Sequence, residues 1–140
     1  MEKVKKRSDC PISCSLDVLG DKWSLLIVRD LLEKQQSTYG DFLKAEEKIA
    51  TNILATRLQM LEENGIISKL DHPESKAKVL YKLTKKGIDL LPIIVEFGFW
   101  ADKYYTIDKG KKAALREIKK DKETFIKTTI QDLKKGLEKG

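Results

Sequence analysis

An α+β fold dominated by helices is what this 140-residue sequence predicts, and three observations carry that prediction. A strongly patterned helix begins near Ile49 and ends at Asn64-Gly65; two β-prone runs joined by a lysine-bearing turn follow it directly; and two shorter helical segments precede it. Short helices, a tight polar turn, a longer helix and then a hairpin is how a winged helix-turn-helix reads, here with a two-stranded wing and with terminal helices left over for dimerisation.

The central helix is justified by spacing. Ile53, Leu54, Leu58 and Leu61 recur at helical intervals, and Asn64-Gly65 suits a left-handed C-terminal cap. At ~100° per residue, Leu54, Leu58 and Leu61 fall in one narrow arc and Asn52, Thr56, Gln59 and Glu63 on the other side. One face packs while the other stays free, with short amides and hydroxyls near its N-terminus that suit base edges or phosphates in a major groove. Ile66-Ile67-Ser68-Lys69-Leu70 and Val79-Leu80-Tyr81-Lys82-Leu83 read as the hairpin strands, bracketing a long tip from Asp71 to Lys78. Pro73 favours a turn there, and Lys76 and Lys78 would carry charge from the tip toward a nucleic-acid backbone.

Upstream, a short apolar piece, Leu16-Asp17-Val18-Leu19, stops at Gly20, and a helix from about Asp21 to Glu33 presents Trp23, Leu26, Ile27 and Leu31 on one side. Ser37-Thr38 reads as a cap on a short helix, and Glu46-Glu47-Lys48 as the polar turn. Downstream, Thr84 can cap a helix in which Leu90, Leu91, Ile94, Phe97, Ala101 and Tyr104 recur, with Pro92 kinking it or marking its effective start. After a break at 107–110, Leu115, Ile118, Phe125, Ile126, Ile130, Leu133 and Leu137 form an apolar stripe among lysines. Such a helix needs cover, and its twin in a homodimer is the nearest surface. The expected division is therefore 1–106, the DNA-binding domain with its N-terminal arm, and 107–140, a helical extension for dimerisation.

Charge narrows the partner less than it first promises. The formal net charge is +6, but residues 1–106 hold 17 basic and 16 acidic side chains, whereas 107–140 hold 11 and 6. Nucleic-acid binding is thus read from the placement of Lys76, Lys78 and the helix face, not from the total. The N-terminus lacks the apolar segment of a secretory signal and no apolar run is long enough to span a bilayer, so a cytoplasmic protein with reduced Cys10 and Cys14 is expected. Glu117, Glu123, Asp132 and Glu138, interspersed along the basic tail, argue against a membrane-surface helix. A single histidine, His72, and two cysteines cannot build a histidine triad or a structural zinc site. No phosphate-binding glycine loop occurs either. No enzyme, metal or cofactor is expected.

Cys10-Pro11-Ile12, Leu16-Asp17-Val18-Leu19-Gly20-Asp21-Lys22-Trp23-Ser24, the 58–65 segment ending Leu61-Glu62-Glu63-Asn64-Gly65, and 78–84 with Gly87 together resemble the HxlR-type branch of MarR-like winged-helix transcriptional regulators, over about residues 10 to 105. The resemblance implies a homodimer on a pseudo-palindromic operator, with Ala50, Thr51, Asn52, Thr56 and Arg57 opening the recognition helix and Lys76 and Lys78 in the wing. Ala50 departs from the usual hydroxyl cap, and the chain runs about thirty residues past the final aromatic helix. Arg57 sits nearer the apolar arc, so it reaches a phosphate or pairs with an acidic neighbour. Trp23 and Trp100 read as core and dimer-interface residues. The resemblance also implies a redox-sensing role for Cys10, since the cysteine before that proline is the sensor in redox-responsive members. Lys5, Lys6 and Arg7 stand close enough in sequence to favour its thiolate, and the effector would be an oxidant or electrophile. The alternatives are a small buried hydrophobe at Cys10 and, for the whole chain, a winged helix that binds protein without specific DNA binding.

Overall fold

The structure is a computed structural model that describes residues 5–138; residues 1–4 of the basic N-terminal arm lie outside it. It divides into two compact units, Met1–Gly87 and Ile88–Gly140, so the break falls some twenty residues before the 106/107 boundary expected from the sequence.

The first unit opens with α1 (Pro11–Leu19), where Pro11 occupies the first turn, a position that needs no intrahelical N–H. Gly20 ends it because a Cβ there would lie 2.4 Å from the Leu16 carbonyl oxygen. After a turn, α2 (Ser24–Lys34) buries Ser24, Ile27, Val28 and Leu31. Ser37–Thr38, expected only as a cap, also forms a short strand, β1. Thr38 caps α3 (Tyr39–Leu43) through a reciprocal capping box with Asp41. Helix α4 (Thr51–Glu63) buries Leu54, Leu58 and Leu61, but Ile53, expected with them, is exposed because it sits outside their arc.

Gly65, with φ 73°, makes the left-handed exit that only glycine adopts without strain. The chain then enters β2 (Ile67–His72) and β3 (Ser75–Leu83). The expected long tip contracts to a two-residue turn at Pro73-Glu74, because strand pairing continues out to His72 and Ser75 past an irregularity at Asp71/His72. Strand β1 pairs antiparallel with β3, Ser37 opposite Tyr81 and Thr38 opposite Leu80, so the sheet has three strands in the order β1-β3-β2. A two-residue strand carries no periodic signal, which is why the sequence concealed it.

The single helix expected after Thr84 is two. Thr84 accepts from the Gly87 amide at 3.2 Å at the head of the short α5 (Lys85–Ile88). Helix α6 (Leu91–Tyr104) then starts afresh, with Pro92 in its first turn. In the second unit α6 buries Leu91 and Val95 while Ile93, Phe97, Trp100 and Tyr104 stay exposed. The C-terminal stripe is split into α7 (Lys109–Lys120) and α8 (Lys122–Glu138) at Asp121, whose carboxylate accepts from the Thr124 amide at 3.2 Å. The break lets both helices pack on α6 and on each other. The stripe is thereby half-buried within its own chain. Among the described residues no helix is long and apolar enough to cross a membrane.

Candidate nucleic-acid interface

The recognition face is set by how α4 is held. Leu54 and Leu61 are fully buried and Leu58 nearly so, which fixes the helix rotation and leaves Asn52, Thr56 and Gln59 exposed on the far side, with Thr51 exposed at the helix N-terminus. The Thr56 hydroxyl donates to the Asn52 carbonyl at 3.0 Å. Its proton is therefore spent, and outward it is an acceptor, suited to an exocyclic amine of adenine or cytosine. Asn52 offers both a carbonyl and an amide, the pair that reads adenine bidentately. Ala50, at the N-cap in extended conformation, supplies no side-chain cap, so the first amides of α4 are open to an anion.

Three residues that pattern reading passed over position this helix. The Tyr39 hydroxyl, from α3, donates to the Thr51 carbonyl. Arg29 grips Glu47 with two hydrogen bonds of 2.8 and 2.9 Å and Asp30 with two more, tying α2 to the turn that feeds α4. The Glu47 hydrogen bonds outweigh partial burial and raise the Arg29 pKa still further. Asp21 does most: its Oδ2 accepts from the Trp23 and Ser24 amides, both at 2.9 Å, and its Oδ1 from the Ser24 hydroxyl at 2.6 Å. The same Oδ1 lies 3.4 Å from an Arg57 guanidinium nitrogen. Burial pushes the Asp21 carboxyl up, but the Ser24 hydroxyl, the two amides and Arg57 together hold it below the ordinary carboxylate range. Of the two roles open to Arg57, the structure shows the intramolecular pair: it ties mid-α4 to the head of α2. None of these three contacts has a sequence signal, since partners twelve to thirty-six residues apart meet only in the fold.

Lys76 and Lys78 sit on β3 itself rather than in a loop, both exposed and two apart, hence on one face of the strand. Lys78 lines a cleft between β3 and the start of α3 that also includes Tyr39 and Lys44, the latter another cation that pattern reading missed. Cys10 is exposed at the head of α1, not a buried hydrophobe. The Cys14 thiol donates to the Ser8 carbonyl at 3.2 Å. Of the neighbouring cations, Lys6 pairs with Asp9 at 3.2 Å and Arg7 with Asp17, so their charge is shared with carboxylates. Among the described residues no cluster of His, Cys, Asp or Glu could hold a metal ion.

The family model for HxlR-like helix-turn-helix proteins matches residues 18–109. The chain is 38% identical to the HTH-type transcriptional regulator sll1512 of Synechocystis sp. over 86 residues, 61% of this chain and 63% of that protein; it therefore spans somewhat less than two thirds of that relative. It resembles the crystal structure of the transcription factor PA1607 with a TM-score of 0.66 and 39% identity, covering 74% of this chain and 71% of that one. The reduced form of the transcriptional regulator YodB from B. subtilis matches with a TM-score of 0.58 and 32% identity, covering 69% and 95%. Helix-turn-helix geometry, wing and matched sequence agree: the chain belongs to the HxlR-like helix-turn-helix family of transcriptional regulators.

Proposed function

We propose that this chain acts in the cytoplasm as a sequence-specific DNA-binding homodimer on a pseudo-palindromic operator whose half-sites lie about one helical turn apart. The observation that carries the reading is α4: three buried leucines on one side, an exposed Asn52 and Thr56 on the other, an exposed Thr51 at its N-terminus, and no side-chain cap in the way of its first amides. Lys76 and Lys78 then lie along flanking phosphates, while Arg57 orients the helix through Asp21 and reaches a phosphate only by exchanging that partner. Dimerisation is supported by apolar side chains that each unit leaves exposed, Ile12 and Leu16 on α1 and Phe97, Trp100 and Tyr104 on α6. An exposed Cys10 supports a response to oxidants or electrophiles, and YodB has been solved in diamide-treated and quinone-bound forms.

The test is titration of labelled duplexes, selected from a random pool, at two salt concentrations. Asn52→Ala should erode discrimination between selected and scrambled duplexes by about tenfold or more. Lys78→Ala should weaken both alike and flatten the salt slope by about one. Equal loss on every sequence from Asn52→Ala contradicts base reading, and binding indifferent to salt points instead to a protein partner.

A further inference from the structure

The charge excess of the tail is not spread along it. Helix α7 carries six cations, Lys109, Lys111, Lys112, Arg116, Lys119 and Lys120, against the lone carboxylate Glu117; the rest of 107–140 holds five of each sign. Five of the protein's six net positive charges therefore sit on one twelve-residue helix. The family model stops at residue 109, where α7 begins, so this charge is additional to the matched region.

The helix is also oriented. Leu115 packs so close to Gly98 of α6 that a Cβ on that glycine would meet its Cδ2 at 2.8 Å, and Lys112 pairs with Asp102 of α6 at 3.4 Å. At ~100° per residue, Lys109, Arg116 and Lys119 share an arc of about 80° that begins about 40° from Leu115 and includes the α6-paired Lys112, and all three are exposed. Asp108 caps the helix by accepting from the Lys111 amide at 3.0 Å, which holds the first turn in place. At ~1.5 Å per residue the row extends about 15 Å, the axial span of four or five phosphates on one strand. A bilayer surface would also require a free apolar face. Here Leu115 is already spent on α6, which favours a polyphosphate.

We propose that α7 is a second, sequence-independent contact to the phosphate backbone of duplex DNA, additional to α4 and the wing. The inference rests on the DNA-binding reading above. Its test is the triple substitution K109Q/R116Q/K119Q, which leaves Lys112, paired with Asp102, and Lys120, paired with Glu117 at 2.9 Å, in place, beside the charge-keeping K109R/R116K/K119R. Both are titrated against selected and scrambled duplexes across a salt series, with helicity checked by circular dichroism. The glutamine variant should bind both duplexes roughly tenfold or more weakly near physiological salt, with unchanged discrimination. Its log–log salt slope should be shallower by up to about 2.7, and the charge-keeping variant should match the wild type. Unchanged affinity and slope in the glutamine variant overturn the proposal while leaving the α4 reading intact. So does loss of binding to anionic vesicles with duplex affinity unchanged. A wild type that binds no duplex overturns both. If the glutamine variant loses helicity, the charge-keeping variant decides, since equal weakening there shows a structural effect and overturns the proposal.

Discussion

Replacing Asp21 by alanine should be among the most damaging single changes outside the leucine core, and its cost follows from four interactions. Two amides at the head of α2 lose their cap, about 1 kcal/mol. The Ser24 hydroxyl, in a residue with no exposed surface, loses its 2.6 Å acceptor, which adds about 1–3 kcal/mol for a stranded buried group. The Arg57 pair is a quarter exposed on both sides and contributes well under 1 kcal/mol. Asp21→Ala should therefore cost about 3 kcal/mol. Asp21→Asn, which keeps one oxygen for the amides, should cost about 1 kcal/mol. Urea unfolding followed by circular dichroism at fixed protein concentration measures both, fixed because the proposed dimerisation would make apparent stability concentration-dependent. The pH dependence follows as well. The folded-state pKa of Asp21 is below its unfolded value, so its contribution is present above the ordinary carboxylate range and fades as the pH falls through that range. Asp21→Ala should flatten part of the acid limb of the stability profile. Equal losses for the alanine and asparagine variants, or a loss for alanine below about 1 kcal/mol, would refute the account of Asp21 as cap and acceptor.

Two other outcomes complete the set. Gly20→Ala places a methyl 2.4 Å from a backbone oxygen that cannot move without unwinding the end of α1, and should destabilise by about 2 kcal/mol or more; a change within 0.5 kcal/mol in the same urea assay would show the turn to be pliant. Treating the wild type with diamide or a quinone should change duplex affinity, and Cys10→Ser should abolish that change; a response that survives the substitution removes Cys10 from the mechanism.

Much of the fold was legible because it obeys period and punctuation. Leu54, Leu58 and Leu61 declare a helix and its buried side, Gly65 declares its exit, and Thr38 with Asp41 spells a capping box in four consecutive residues. The outward set of Asn52, Thr56 and Gln59 follows from the same arithmetic, because the polar face is what remains once the leucines are placed. Other features escaped because they depend on partners far along the chain. Strand β1 exists only by virtue of β3, and the tight Pro73-Glu74 turn only because the strands pair to their ends. The partial burial of the C-terminal stripe depends on a break at Asp121, a residue that in sequence looks like any other polar position in a helix.

By itself, then, the order of residues determined a winged helix-turn-helix whose central helix has a polar outer face, since periodicity and caps are local and each element carries its own. Only the tertiary structure decided what Arg57 does, that Asp21 serves α2 and α4 at once, and that Lys112 of α7 is held by Asp102 of α6 while Lys109, Arg116 and Lys119 stay exposed. Those are properties of distances across space, and a carboxylate or a cation has the same letter whether its partner is water, a buried hydroxyl or another helix.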